Sequence, residues 1–315
     1  MITEKDIRDE NIHNKLSEVI IRCNKDYYDI NENISCISCD EKEYNFEFSK
    51  WGFDFVSCIN CNTLYVNPRP SFDNIRNFYQ DSEYINCQND LVKSGAKARR
   101  EKMKERVEFI TKRINNNSVI GDIGSGQGVF LEELKKQSPN NVFIAIEPSE
   151  ESSKICKEKG LEVKQTIIED IDDMNNKFDC LISLELLEHI HDPKLFLEKI
   201  YNMLKPNGFI FMSCLCLGFD IKILGKNSKS VSPMQHINFF NVESIKHLLI
   251  RKGFKNIQIS TPGVLDCDIV ENYFKENNID YKFPWNNIEE KIDFQKTIQE
   301  YNESSHMWIL AYKRI

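Results

Sequence analysis

The chain has 315 residues, a formal net charge of −8, 41% hydrophobic and 11% aromatic residues. This length carries one large or two small domains, and the acidic balance disfavours a nucleic-acid partner, which needs a broad basic face. No apolar run reaches the roughly 18 residues of a membrane span, and Met1 to Glu10 is charged with no apolar stretch, so neither a transmembrane helix nor a secretory signal is expected and the cytoplasm is the expected compartment.

In chain order, residues 5 to 24 place Ile12, Leu16, Val19, Ile20 and Cys23 at three-to-four spacing, which predicts an amphipathic packing helix within an N-terminal arm, 1–32. Two C-x2-C units follow, Cys36 with Cys39 and Cys58 with Cys61, inside a lobe at 33–70. Between them Tyr44, Phe46 and Phe48, then Phe53 and Phe55, alternate with polar residues, which predicts a short hairpin. Leu64 to Pro70 leaves the lobe in extended form, because residues before proline avoid the helical region. Residues 71–116 read as a helical connector, with helices near Phe72 to Tyr79 and Ala96 to Ile114 and with Tyr84 expected near an active site. The cationic stretch Lys97 to Lys104 reads as a solvated helix face.

From 117 to 315 strands alternate with helices. Strands are predicted at 119–123, 142–146, 161–164, 178–184, 209–214, 254–260 and 307–312. Ser149, Asp192 and Asn241 are expected to cap helices, with Pro193 in a first turn and Gly160 closing the helix before it. The alternation predicts an α/β fold: a doubly wound, Rossmann-like, seven-stranded sheet with ligands at the carboxyl ends of its strands. Residues 263–304 interrupt the last two strands and are expected to form a helical insertion over that edge, a substrate lid in which Asp266 and Asp268 meet hydroxyls or an amine.

Four of the eleven cysteines form the C-x2-C pairs. Their spacing fits tetrahedral thiolate coordination of a structural zinc, a zinc ribbon. A redox pair, an iron centre and metal-free hairpins remain the other readings. Asp40 and Asn62 follow the two knuckles and tolerate the left-handed backbone such turns need. Cys23, Cys87, Cys156, Cys180, Cys214, Cys216 and Cys267 read as small core residues.

The stretch V-I-G-D-I-G-S-G-Q-G-V-F-L at 119–131 reads as a buried strand, a glycine turn and the start of a helix. Its glycines let backbone N–H groups approach a ligand. Val129 stands where a dinucleotide fingerprint needs its last glycine, and no Gly-Lys-Ser/Thr follows. Glu147 ends the next strand, where its carboxylate can accept two bonds from vicinal ribose hydroxyls.

Residues 119–260 resemble the class I S-adenosyl-L-methionine (SAM) dependent methyltransferases, in the broad family that includes ubiquinone-pathway O-methyltransferases. The resemblance rests on G-D-I-G-S-G-Q-G, Glu147, F-D-C-L-I-S-L-E-L-L-E-H at 178–189, L-K-P-N-G at 204–208 and H-I-N-F-F at 236–240. It implies that Asp122, Gly124, Ser125, Gly126, Gln127 and Gly128 hold the methionine part of SAM, and that Glu147 and Pro148 lie at the ribose. It places Ile167 and Ile168 at the adenine, and Leu184 and Glu185 beside the sulfonium. Ile167 stands where many members carry an acid. A zinc-ribbon-like lobe ending in N-P-R-P is also found in some members, sugar methyltransferases among them.

His189, His236 and Glu185 are the candidates for catalysis. In the quinone O-methyltransferases an E-x-x-E-H cluster like Glu185, Glu188 and His189 is associated with a divalent metal, while other relatives carry L-E-H without one. The function expected is transfer of a methyl group from SAM to O, N or C of a small or carrier-linked metabolite, with a sugar among the options. An RNA or protein methyltransferase docking through the ribbon, and a non-catalytic SAM-binding scaffold, are the alternatives. Oligomeric state is not readable from the sequence.

Overall fold

Residues 3–7, 9–26, 32–94 and 96–314 are described by a computed structural model. Their strands are β1 (Tyr44–Lys50), β2 (Phe53–Cys58), β3 (Leu64–Val66), β4 (Val119–Ile123), β5 (Val142–Ile146), β6 (Glu162–Lys164), β7 (Phe178–Leu184), β8 (Leu204–Leu215), β9 (Asn238–Phe239), β10 (Phe254–Ser260) and β11 (His306–Lys313). The chain divides into two units. One gathers residues 1–100, 215–244 and 260–307, the other 101–214, 245–259 and 308–315.

The second unit is built on a seven-stranded sheet in the order β10-β11-β8-β7-β4-β5-β6. Strands β4, β5, β6, β7 and β8 pair in parallel. Central strands of such a sheet are covered on both faces, which is why β7 reads almost continuously apolar. The chain winds outward through β5 and β6, then resumes at β7 on the other side of β4. The carboxyl ends of β4 and β7 therefore form the switch point where open α/β sheets take ligands. Ser149 Oγ accepts from Ser152 N–H, and Asp192 accepts from Lys194 and Leu195 N–H, so both cap their helices as expected. One boundary differs. The strand expected at 209–214 begins at Leu204, so that Lys205–Gly208 is absorbed into β8, with Asn207 left-handed at φ 65° and a register shift opposite Phe178 and Cys180.

The first unit is built on a four-stranded antiparallel sheet, β1-β2-β3-β9. The β1–β2 hairpin turns on Trp51 and Gly52, both at positive φ, the pattern whose twist matches paired strands. Helix Glu10–Asp26 presents Leu16, Val19, Ile20 and Cys23 to a core shared with Phe53, Phe55, Phe78 and Phe239. Phe55 and Phe239 are fully buried, each contributing about 1.5–3 kcal/mol by burial. Tyr84, expected near an active site, lies in this core. Its ring is buried against Phe78 at 4.2 Å and is held there by packing.

Residues 263–304 form helices Asp266–Glu276 and Ile288–Glu300 around Cys267, Trp285 and Ile298. Asp266 and Asp268 do not fit the role of substrate ligands. Asp266 is buried and accepts from Ser304 Oγ (2.7 Å), Ser305 N–H (2.7 Å) and Gln295 Nε2 (2.8 Å). Asp268 accepts from Glu4 N–H (2.8 Å) and Lys291 Nζ (3.2 Å). Both carboxylates are engaged by the chain's own backbone and side chains. A buried carboxylate needs such donors.

Candidate functional site

The glycine turn leaves β4 and closes on itself. Gly124 N–H donates to Ile146 O (2.9 Å) and Gly128 N–H to Ser125 O (2.9 Å). Gly124, Gly126 and Gly128 all lie at positive φ, 69°, 53° and 69°. At Gly128 an added Cβ would lie 2.7 Å from Leu161 Cδ1 and 2.9 Å from Cys156 Sγ, whereas at Gly126 it would meet nothing within 4 Å. A Cβ at Gly128 would force these two buried side chains to shift, whereas Gly126 borders open space. Cys156 is buried, as a core cysteine should be, and its Sγ lies 3.2 Å from Gly126 O as donor.

Glu147 stands directly against this turn. Its carboxylate accepts from Gly126 N–H (2.8 Å) and Ser149 N–H (2.9 Å). Burial pushes its pKa up, against the pull of those two donors. Asp122, one strand inward, is buried, and burial with the Glu147 charge nearby raises its carboxyl well above the usual range. Ser125 is half-buried, while Gln127 and Pro148 are exposed. Ile167 is extended and half-buried, and Ile168 is buried at the start of a short turn, Ile168–Asp170.

At the end of β7, Leu184 is half-buried and Glu185 takes φ 51°, an uncommon backbone for a side chain of its size. Three contacts hold it there. Its N–H donates to Ser213 O (2.7 Å), and its carboxylate accepts from Ser213 Oγ (2.9 Å) and Arg106 Nη2 (2.5 Å). Arg106 and Ser213 were missed by sequence reasoning. Arg106 sits in helix Ala96–Thr111, two residues beyond the cationic stretch Lys97 to Lys104 that reads as a solvated face. Its only sequence signal is its position beside the buried Val107. Glu188 is buried and His189 half-buried in the turn Leu187–His189 that follows.

His236 belongs to the first unit. Its Nδ1 lies 2.6 Å from Ser230 O. A carbonyl only accepts, so Nδ1 carries the proton, and in the neutral ring Nε2 carries the lone pair.

The four C-x2-C sulfurs converge in the same unit. Each lies within 4.8 Å of the others, with Cys36 Sγ to Cys61 Sγ and Cys39 Sγ to Cys58 Sγ both 3.5 Å. Tetrahedral zinc with Zn–S near 2.3 Å sets sulfurs about 3.8 Å apart, so the donor set fits that ion. Ser38 N–H points to Cys36 Sγ and Asn60 N–H to Cys58 Sγ, each at 3.4 Å, as backbone donors to thiolates. Asp40 and Asn62 are left-handed, at φ 64° and 54°, as the knuckles require.

A glycine turn followed by a helix, an acidic residue at the end of the adjacent strand, and a seven-stranded sheet give this site its character. A family model described as a methyltransferase domain matches residues 96–259, just over half of the chain. The chain belongs to the class I SAM-dependent methyltransferases. This methyltransferase is 30% identical over 195 residues to a ubiquinone biosynthesis O-methyltransferase of Actinobacillus pleuropneumoniae serotype 7 (strain AP76), a match that covers 53% of this chain and 83% of that one. It is 25% identical over 134 residues to the mitochondrial ubiquinone biosynthesis O-methyltransferase of Dictyostelium discoideum, covering 35% of this chain and 42% of that one. Among solved structures, phosphoethanolamine N-methyltransferase 2 of Haemonchus contortus in complex with SAM superposes with a TM-score of 0.53. That match is 18% identical and covers 76% of this chain and 60% of that one, a likeness of fold. No described helix of the methyltransferase is long and apolar enough to cross a membrane.

Proposed function

We propose that the methyltransferase acts on a hydroxyl or carbon acid of a small or carrier-linked metabolite. The observation that carries this reading is the similarity to a ubiquinone biosynthesis O-methyltransferase over 195 residues. A hydroxyl, a carbon acid and a protonated amine must each lose a proton before attack on the methyl group, and His236 is a candidate to take it. Similarity to ubiquinone biosynthesis O-methyltransferases supports a hydroxyl. A sugar hydroxyl stays within the class by analogy alone.

The bound SAM supplies an activated methyl group. The chain's own residues supply placement, for which effective-molarity arguments allow roughly 7–11 kcal/mol. In this reading the Gly124–Gly128 backbone and Asp122 receive the amino-acid part, and Glu147 receives the ribose hydroxyls. Ile167 and Ile168 flank the base. Arg106, paired with Glu185 at the end of β7, is the cation we assign to the cofactor's carboxylate. His189 and His236 are the two candidate bases, with Glu185 orienting.

The four cysteines hold a structural zinc in this proposal. Four thiolates leave no open position for chemistry, and the sulfur spacing and backbone donors support the assignment. The test is incubation with methyl-labelled SAM and cell extract split by a macromolecular cut-off. Label in the small-molecule fraction supports the reading. Label on RNA itself or on amino-acid side chains, or in neither fraction, overturns it.

A further inference from the structure

The H-I-N-F-F stretch that begins at His236 supplies the fourth strand of the four-cysteine lobe. Tyr65 pairs with Asn238 and Leu64 with Phe239. Val66 N–H donates to Ile237 O (3.1 Å). The buried Arg69 donates to Asn238 Oδ1 (2.7 Å). Two further bonds run from the knuckles themselves. Asn241 Nδ2 donates to Cys61 O (2.7 Å), and Ser38 Oγ, between Cys36 and Cys39, donates to Ser244 O (2.6 Å). On the other side of His236, Lys50 Nζ at the hairpin tip donates to Ser228 O (2.9 Å), two residues before the Ser230 carbonyl that holds the ring. Both ends of the His236 loop are thus tied to one small lobe.

We propose that the four-cysteine lobe is the mount of His236: the folded state of its knuckles sets the tautomer and placement of that ring. The proposal rests on the metal-centre reading above. Small lobes of this kind fold with their metal. Stripping the ion releases the Cys61 carbonyl and the Ser38 turn, and with them β9 and the His236 loop. Asn241 and Ser38 are positioning residues in this scheme. Asn241 also caps the following helix through Ser244 N–H (2.8 Å). Asn241→Ser keeps a capping oxygen and removes only the donor to Cys61 O.

The test uses the full chain labelled with 15N-histidine, with His236 assigned from the spectrum of His236→Gln. Three samples are compared: as purified with its metal content measured, stripped by a chelator under reducing conditions, and the Asn241→Ser/Ser38→Ala double variant. In the first, the nitrogen shifts of His236 report protonation at Nδ1. In the stripped protein they move to the averaged shifts of an exposed ring, and turnover falls while SAM affinity is unchanged. The double variant shifts in the same direction with its metal retained. Ring shifts that ignore both stripping and the double variant overturn the proposal. So does SAM affinity lost in step with the ring signal, which marks general unfolding. A purified chain that takes up no metal yet shows the fixed tautomer overturns the metal reading and the mount together. If the ring follows the metal while His236→Ala keeps full turnover, the mount stands and the catalytic role of His236 falls.

Discussion

Gly128→Ala tests the glycine turn most sharply, because its cost divides into two known parts. The residue sits at φ 69°, where a Cβ costs about 1–2 kcal/mol. The new methyl would also lie 2.7 Å from Leu161 Cδ1 and 2.9 Å from Cys156 Sγ, overpacking worth about 1–3 kcal/mol. Destabilisation of about 2–5 kcal/mol is expected. Gly126→Ala is the matched control. It carries the same kind of backbone cost at φ 53°, with no atom within 4 Å of the added methyl, so about 1–2 kcal/mol is expected. The assays are urea denaturation of both variants and SAM binding by calorimetry. Gly128→Ala should unfold at clearly lower urea than Gly126→Ala. Gly126→Ala should stay folded and lose SAM, because its methyl enters the space the cofactor takes. Equal stability of the two variants would refute the packing argument. Normal SAM binding by Gly126→Ala would refute the placement of the cofactor.

The raised pKa values of Asp122 and Glu147 reverse the usual pH trend. A carboxyl whose folded pKa lies above its unfolded value favours folding when protonated, and that stability is lost as pH rises through the folded pKa. Asp122→Asn should therefore raise the Tm of the SAM-free protein, by a margin that grows with pH above about 4, while weakening SAM binding; a margin that shrinks with pH would count against it. Arg106→Ala should weaken SAM about tenfold to a hundredfold, the loss of a charge-assisted bond, and calorimetry reads it directly. His236→Ala and His189→Ala should each keep SAM affinity, and the one that serves as base should lose about a hundredfold or more in turnover. Cys36→Ser should lose about one zinc per chain by elemental analysis; unchanged metal content would remove the site.

The parts legible in the sequence are those whose signals are local. The glycine turn, the strand before it and Glu147 declare themselves through spacing within about one βαβ unit. The knuckles do so through C-x2-C and through Asp40 and Asn62, whose positive φ is a property of the residue type. What stayed hidden joins distant residues. Arg106 belongs to no motif in the sequence and stands out only once Glu185 appears beside it. Asp266 reads as a ligand until Ser304, Ser305 and Gln295 supply its donors. The β9 strand has two residues and no periodicity of its own, so H-I-N-F-F looks like part of the methyltransferase motif set rather than part of the four-cysteine lobe.

Strand β9 is synthesised long after the three strands it completes. Cys61 and Asn241, bonded in the native protein, are 180 residues apart in sequence. At about 5–20 residues per second, roughly ten to forty seconds separate their translation. Through that interval β3 is an apolar strand with one edge still unpaired, the kind of edge that invites foreign strands. A metal ion taken up early by the four thiolates would hold the β1–β2–β3 ribbon in its own register while β9 is still being made.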